Sequence, residues 1–162
     1  MVQAGQAPGR IRLAACGALL VMYVGVVLTI TMWPTQPDQG YASLVERFIA
    51  LLHRNGVPGW FGFGELEFTA NIGMFVPLGF LLALTLPERV SLLAIPLLPA
   101  FSGMIELIQG QFLPERFATV SDVLANAFGG YLGAVLALAL RAVVHERDRL
   151  VIARAMAGVH VH

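Results

Sequence analysis

The sequence E-L-I-Q-G-Q-F-L-P-E-R-F-A-T-V-S-D-V-L-A-N-A-F-G-G-Y-L-G, residues 106–133, decides the fold of this chain. It joins the facing ends of two long apolar runs, and burying its charged and amide side chains without partners would be costly. Glu106 and Gln109 are three positions apart, and Asp122 and Asn126 are four apart, so each pair lies on one helical face. This pattern predicts two helices whose polar ends meet across a short link.

The composition outside this stretch is that of a membrane protein. Hydrophobic residues make up 57% of 162 positions and charged residues 12%, against a charged share of about 25% in soluble domains. The net charge is zero and the chain has no lysine, so the sequence predicts no nucleic-acid partner. The single Cys16 excludes an intrachain disulfide. No sequence motif for a metal or a cofactor is present, and we expect neither.

Four apolar runs predict four spanning helices in one domain, residues 1–162, and therefore an all-α polytopic fold. The first run, residues 13–33, has 21 uncharged residues and would be about 31 Å long, which matches the hydrocarbon thickness. A cleaved signal peptide is the alternative, but W-P-T-Q-P-D-Q-G lacks a small-residue cleavage site. The remaining spans are expected at residues 68–86, 90–109 and 123–140, with a tail at 141–162.

A shorter helix is predicted between the first two spans, at residues 41–54. Its apolar residues recur at helical spacing, but it is too short and too charged to cross a bilayer. It is expected to lie in the membrane interface, followed by a turn with aromatic anchors at residues 58–64. Coverage of the ends of the spanning helices is an equally good interpretation.

Arginine counting predicts the orientation. Seven arginines fall on the side of the termini and three on the other side, so the positive-inside rule places both termini in the cytoplasm of a bacterial cell. The seven are Arg10, Arg12, Arg89, Arg141, Arg147, Arg149 and Arg154, and the three are Arg47, Arg54 and Arg116.

This topology brings three distant segments to the outer surface, namely the start of span two, the end of span three and the start of span four. We expect their polar residues to form one binding pocket. The set is Glu67, Asn71, Glu106, Gln109, Arg116, Asp122 and Asn126.

Several of these residues belong to motifs that resemble the VanZ-like family of bacterial membrane proteins. The motifs are N-I-G-M-F-V-P-L-G-F-L-L at 71–82, E-L-I-Q at 106–109, Arg116, and D-V-L-A-N-A-F-G-G-Y-L-G at 122–133, in this order. The resemblance covers the last three spans and implies a role in the cell envelope and in resistance to the glycopeptide antibiotic teicoplanin. The recurring positions of the family fall on Asn71, Pro77, Gly79, Glu106, Gln109, Arg116, Asp122, Asn126 and Gly130. Many members carry an acidic residue where this chain has Thr119.

Most of these residues also have a structural interpretation. Thr119 and Asp122 match a helix-capping pattern, Asn71 and Asn126 can bridge helices, and Gly129 and Gly133 form a G-x-x-x-G packing face. Three carboxylates facing one arginine exceed the needs of a salt bridge, and this surplus favours a functional pocket.

Three functions remain open from the sequence. The first is binding of an anionic or glycosylated envelope lipid. The second is an acid/base enzyme acting on a lipid-linked envelope precursor, with Glu106 and Asp122 as catalytic candidates. The third is a small scaffold that binds another membrane protein or a second copy of itself. A glycosidic or phosphate linkage would suit the second, but the separation of the two carboxylates cannot be read from the sequence.

Overall fold

A computed structural model describes residues 7–32, 37–112 and 119–159, and within these ranges the chain is helical without strands. Its elements are α1 (Ala7–Thr31), α2 (Pro37–Arg54), α3 (Phe63–Thr85), a 3-10 helix (Glu88–Leu93), α4 (Ala94–Phe112) and α5 (Val120–Val159).

Four of these helical segments are long and apolar enough to cross a membrane, which confirms the all-α, four-span prediction. They are Ile11–Thr31, Phe63–Thr85, Arg89–Phe112 and Val120–Arg154. The short helix between the first two spans is also present, as α2.

The third span differs from the sequence-based prediction at its start. It begins as a 3-10 helix and becomes α-helical only at Ala94. Pro96 and Pro99 lack the N–H groups that would close the first α-helical turns, and this favours the tighter start. Pro99 leaves the carbonyl of Ile95 without its helical donor, and the Tyr131 hydroxyl donates to that oxygen over 2.9 Å. A neighbouring helix thus satisfies the group that the proline frees.

The helix that contains the predicted fourth span, residues 123–140, is much longer than that span. Helix α5 has 40 residues and is roughly 60 Å long at ~1.5 Å per residue, about twice the hydrocarbon thickness. The segment predicted as a tail therefore continues the helix through Val159. It has no proline to stop it, and an exposed pair, Glu146 and Arg149 at 3.4 Å, links successive turns.

The closest helix packing in the bundle is between α3 and α5, which run parallel. At Gly79, Gly129 and Gly133 an added Cβ would overlap the backbone of the facing helix. Glycine is therefore required here by close approach, as the G-x-x-x-G pattern predicted. Farther along the pair, Arg141 Nη2 donates to the carbonyls of Leu84 and Leu86 at 2.7 and 2.8 Å and satisfies the end of α3.

Helices α1 and α4 complete the bundle. Helix α1 packs on α3, where the Tyr23 hydroxyl donates to the Met74 carbonyl at 2.9 Å, and α4 packs on α5. Gln109 Nε2 donates to the Thr31 carbonyl at 2.7 Å, so the ends of α1 and α4 lie together. The buried core formed between these helices consists of Val27, Phe75, Leu78, Ala94, Leu98 and Ile105.

Within the described residues, helix α2 makes no extensive contact with the spanning helices. Its residues Leu44, Phe48 and Leu51 share one face and are about half exposed. An apolar face left open by the bundle favours the interfacial position over coverage of the helix ends. The interfacial position itself remains a prediction.

Candidate functional site

The ends of α1 and α4 and the starts of α3 and α5 meet at one end of the bundle, here called the polar end. Asn71 on α3 donates its Nδ2–H to Asp122 Oδ1 at 2.9 Å. The Thr119 hydroxyl donates to Asp122 Oδ2 at 2.6 Å, and the Asp122 N–H donates back to Thr119 Oγ1 at 3.1 Å. Thr119 is thus the N-cap of α5, and Asp122 is held by donors on both carboxylate oxygens.

Glu106 completes this cap from the neighbouring helix. The Thr119 backbone N–H donates to Glu106 Oε2 at 3.2 Å. In a capping box, the N–H of the N-cap residue bonds to the side chain three positions later, which here would be Asp122. The Glu106 carboxylate on α4 accepts this N–H instead. Glu106 is only 9% exposed. Its negative charge at the start of α5 is favourable because helix N-termini carry partial positive charge.

A second polar contact lies one turn deeper between the same two helices. Asn126 Nδ2 donates to Ser102 Oγ at 2.9 Å, and both residues are buried. Asn126 is 3% exposed, and within the part of the chain that the structure describes its Oδ1 has no hydrogen-bond partner. Such a buried acceptor costs about 1–3 kcal/mol, which this bundle tolerates at its polar end.

The structure therefore places four predicted site residues at the start of α5. Asn71, Glu106 and Asp122 contribute to its cap, and Asn126 bonds to Ser102 one turn deeper. Gln109 lies at the same end but bonds to the end of α1, as described above. Glu67 lies one turn before Asn71 on α3 and is exposed. Arg116 lies outside the described residues, so its predicted pairing with Glu106 remains a prediction. The assignment of this set as a binding site likewise remains a prediction.

An open groove of about 600 Å³ runs between α4 and α5 beside this cluster. Leu107 and Val120 on its rim are 69% and 77% exposed, which suits contact with lipid chains. Among the described residues that line it, Glu106 and Thr119 have polar side chains; the others are Ala100, Gly103, Met104, Leu107, Val120 and Val123.

The model of the VanZ/LLP1 protein family matches residues 19–141. The chain belongs to the VanZ/LLP1 family. The match begins within α1 and ends at Arg141, so it includes the whole polar end and the parallel α3–α5 pair. No curated protein and no solved structure shows significant similarity to the chain.

The sequence motifs of this VanZ/LLP1 chain identified some residues of its polar contacts but missed several of their partners. Ser102 was missed, although it lies one turn before Glu106 on the same face of α4. Tyr131 was also missed, although its role follows from the need of Ile95 for a donor. Glu106 accepts a hydrogen bond from a backbone N–H, and no side chain in the sequence marks that donor.

Chemically, this VanZ/LLP1 site offers a buried carboxylate, Glu106, that lines an apolar groove. The second carboxylate, Asp122, accepts hydrogen bonds from Asn71 and Thr119. Among the described residues, no group of three or more His, Cys, Asp or Glu side chains is placed to hold a metal ion. The arrangement suits hydrogen bonding to a polar group whose apolar remainder lies along the groove.

Proposed function

We propose that this VanZ/LLP1 protein binds an anionic or glycosylated envelope lipid at the outer leaflet. The hydrocarbon chain lies in the α4–α5 groove, and the headgroup lies at the polar end beside Glu106. The observation that carries the proposal is the groove itself, which has apolar walls, an exposed apolar rim and a carboxylate at 9% exposure among its lining residues.

Charge favours the glycosylated class of headgroup. Among the lining residues that the structure describes, Glu106 is the one with a charged side chain. A carboxylate accepts hydrogen bonds from sugar hydroxyls and repels phosphate. An anionic headgroup would depend instead on Arg116.

The acid/base alternative receives less support. Proton exchange needs carboxylates that can release their partners and reach a substrate. Asp122 is held through Oδ1 by Asn71 and through Oδ2 by Thr119, which favours a structural role. We therefore propose binding without catalysis, with an effect on what a glycopeptide such as teicoplanin meets at the cell surface.

Native mass spectrometry of the protein released from membranes tests this function. Wild type should retain one class of lipid, whereas Glu106→Gln should retain at least about tenfold less, because a bond to an ionised acceptor is lost. Glutamine keeps a carbonyl oxygen for the Thr119 N–H, so the cap survives. Glu146→Gln, which removes an exposed carboxylate far along α5, is the matched control.

A steric block provides a second variant that leaves all charges in place. Gly103 lines the groove, and a Cβ there meets no atom within 4 Å. Gly103→Leu should therefore fill the groove and displace lipid. Gly73 on α3 has the same free space but does not line the groove, so Gly73→Leu should retain lipid as wild type does. If Glu106→Gln and Gly103→Leu both retain the wild-type lipids, the proposal is wrong.

A further inference from the structure

A second pocket lies at the polar end, formed by the start of α3 and Ser121 near the start of α5. Its volume is about 460 Å³, within the range of about 300–1,000 Å³ typical of small-molecule sites. It combines aromatic rings, one carboxylate and two hydroxyl side chains. The lining residues are Trp60, Phe61, Gly64, Glu65, Phe68, Thr69 and Ser121.

Local hydrogen bonds fix the segment that carries Trp60. Gly56, with φ of +96°, ends α2 in a Schellman motif, in which Val57 N bonds to Leu52 O at 3.1 Å and Gly56 N to His53 O at 3.1 Å. The Phe61 N–H then bonds to Pro58 O at 3.0 Å and closes a turn around Trp60. The His53 ring bonds through Nε2 to Phe61 O at 2.9 Å. The indole is therefore presented by a defined turn.

The other side of the pocket is fixed by the start of α3. Glu65 Oε2 accepts the Gly62 N–H at 2.9 Å, which orients the carboxylate while leaving it further lone pairs. The Thr69 hydroxyl donates to Glu65 O at 2.7 Å, so its oxygen can still accept a hydrogen bond. Among the lining residues within the described ranges, Glu65 is the one with a charged side chain.

We propose that this pocket binds a pyranose sugar that carries no negative charge. Trp60 is 71% exposed and offers a flat apolar surface to the C–H face of the ring. The ring hydroxyls donate to Glu65, and the hydroxyls of Thr69 and Ser121 complete the polar contacts. This site is separate from the α4–α5 groove and does not depend on lipid binding there.

Two alternative roles for the same residues fit less well. An indole that serves only as an interfacial anchor needs no carboxylate or hydroxyls beside it. An aromatic cage for a quaternary ammonium ion encloses the cation between ring faces, whereas the Trp60 and Phe61 rings are 6.3 Å apart and tilted by 59°. Such a cation would also make no use of Thr69 and Ser121.

Saturation-transfer NMR of the full chain in nanodiscs, titrated with three sugars of one ring shape, tests the proposal. Glucose and, at mildly acidic pH, glucosamine should bind. Glucuronate should bind roughly threefold to tenfold more weakly than glucosamine, because Glu65 attracts one charge and repels the other. Glu65→Gln should bring that ratio close to one, and glutamine still suits the start of a helix.

Trp60→Leu should abolish saturable glucose binding, whereas Phe63→Leu, an exposed neighbour outside the pocket, should leave it unchanged. Both variants are at exposed positions, and unaltered helicity and thermal unfolding would show that they fold. Glu106→Gln should not change glucose binding, so failure of the lipid proposal leaves this one standing. The proposal is overturned if no sugar binds saturably, if Trp60→Leu still binds glucose, or if tetramethylammonium binds and glucose does not.

Discussion

At the scale of single residues, the polar end combines helix capping with a proposed contact surface for lipid. Asp122 is occupied by Asn71 and Thr119, so its contribution is to fix the start of α5 against α3. Glu106 differs because it both closes the α5 cap and lines the groove. The two acids named as catalytic candidates from the sequence therefore have different surroundings.

The contact of Asn71 with Asp122 gives a prediction at this scale. Asn71→Ala and Asp122→Ala should each destabilise the bundle, and the double variant should cost less than the sum by about 0.5–3 kcal/mol, because each single change removes the same hydrogen bond. Unfolding in mixed micelles measures the cycle. Asn55→Ala is the control, since Asn55 bonds to Leu51 O within its own helix end; it should be additive with Asp122→Ala. Additivity of the Asn71 pair would show that the contact contributes nothing.

The sequence anticipated which residues gather at the polar end but not how they pair. Helical spacing places Glu106 with Gln109 on one face, and Asp122 with Asn126 on another, because faces follow from periodicity. It does not show the rotation of α4 against α5, on which the Ser102–Asn126 bond depends. The Glu106–Arg116 pair stays a prediction because Arg116 lies outside the described residues.

At the scale of elements, the parallel α3–α5 pair forms the closest helix contact in the bundle. The G-x-x-x-G face of α5 was readable from the sequence, because small residues at this spacing mark close helix contact. Its partner was not, since the motif carries no information on which helix approaches. The structure pairs it with α3 and adds Gly79 and Gly130 to the contact. The helical tail could not be predicted from hydropathy, because the charged residues after Arg141 end the apolar run without ending the helix.

Gly79→Ala should destabilise the protein by about 1–3 kcal/mol, because the new methyl group would overlap the Gly130 backbone. Gly73→Ala, six residues earlier in the same helix, is the matched control. A Cβ at Gly73 meets nothing within 4 Å, and alanine has the higher helix propensity by about 1 kcal/mol. Gly73→Ala should therefore be neutral or stabilising in the same unfolding measurement. Equal effects at both glycines would contradict the close approach of α3 and α5.

At the scale of the whole molecule, the number of spans was the most predictable feature. Apolar run length must match the hydrocarbon thickness, and four runs do so. Alternating spans bring the ends of α1 and α4 to the starts of α3 and α5, and the Gln109–Thr31 and Asn71–Asp122 bonds bear out this convergence. Which side of the membrane this end faces rests on arginine counting alone.

The side on which the polar end lies decides whether the groove can receive an outer-leaflet lipid. In a Cys16→Ser background, Gly59→Cys places a thiol at an exposed site near the polar end, and His145→Cys places one beyond the far end of the α3–α5 contact. A membrane-impermeant thiol reagent applied to intact cells should label Gly59→Cys at once and His145→Cys only after permeabilisation. The reverse pattern would place the polar end in the cytoplasm and contradict the outer-leaflet site.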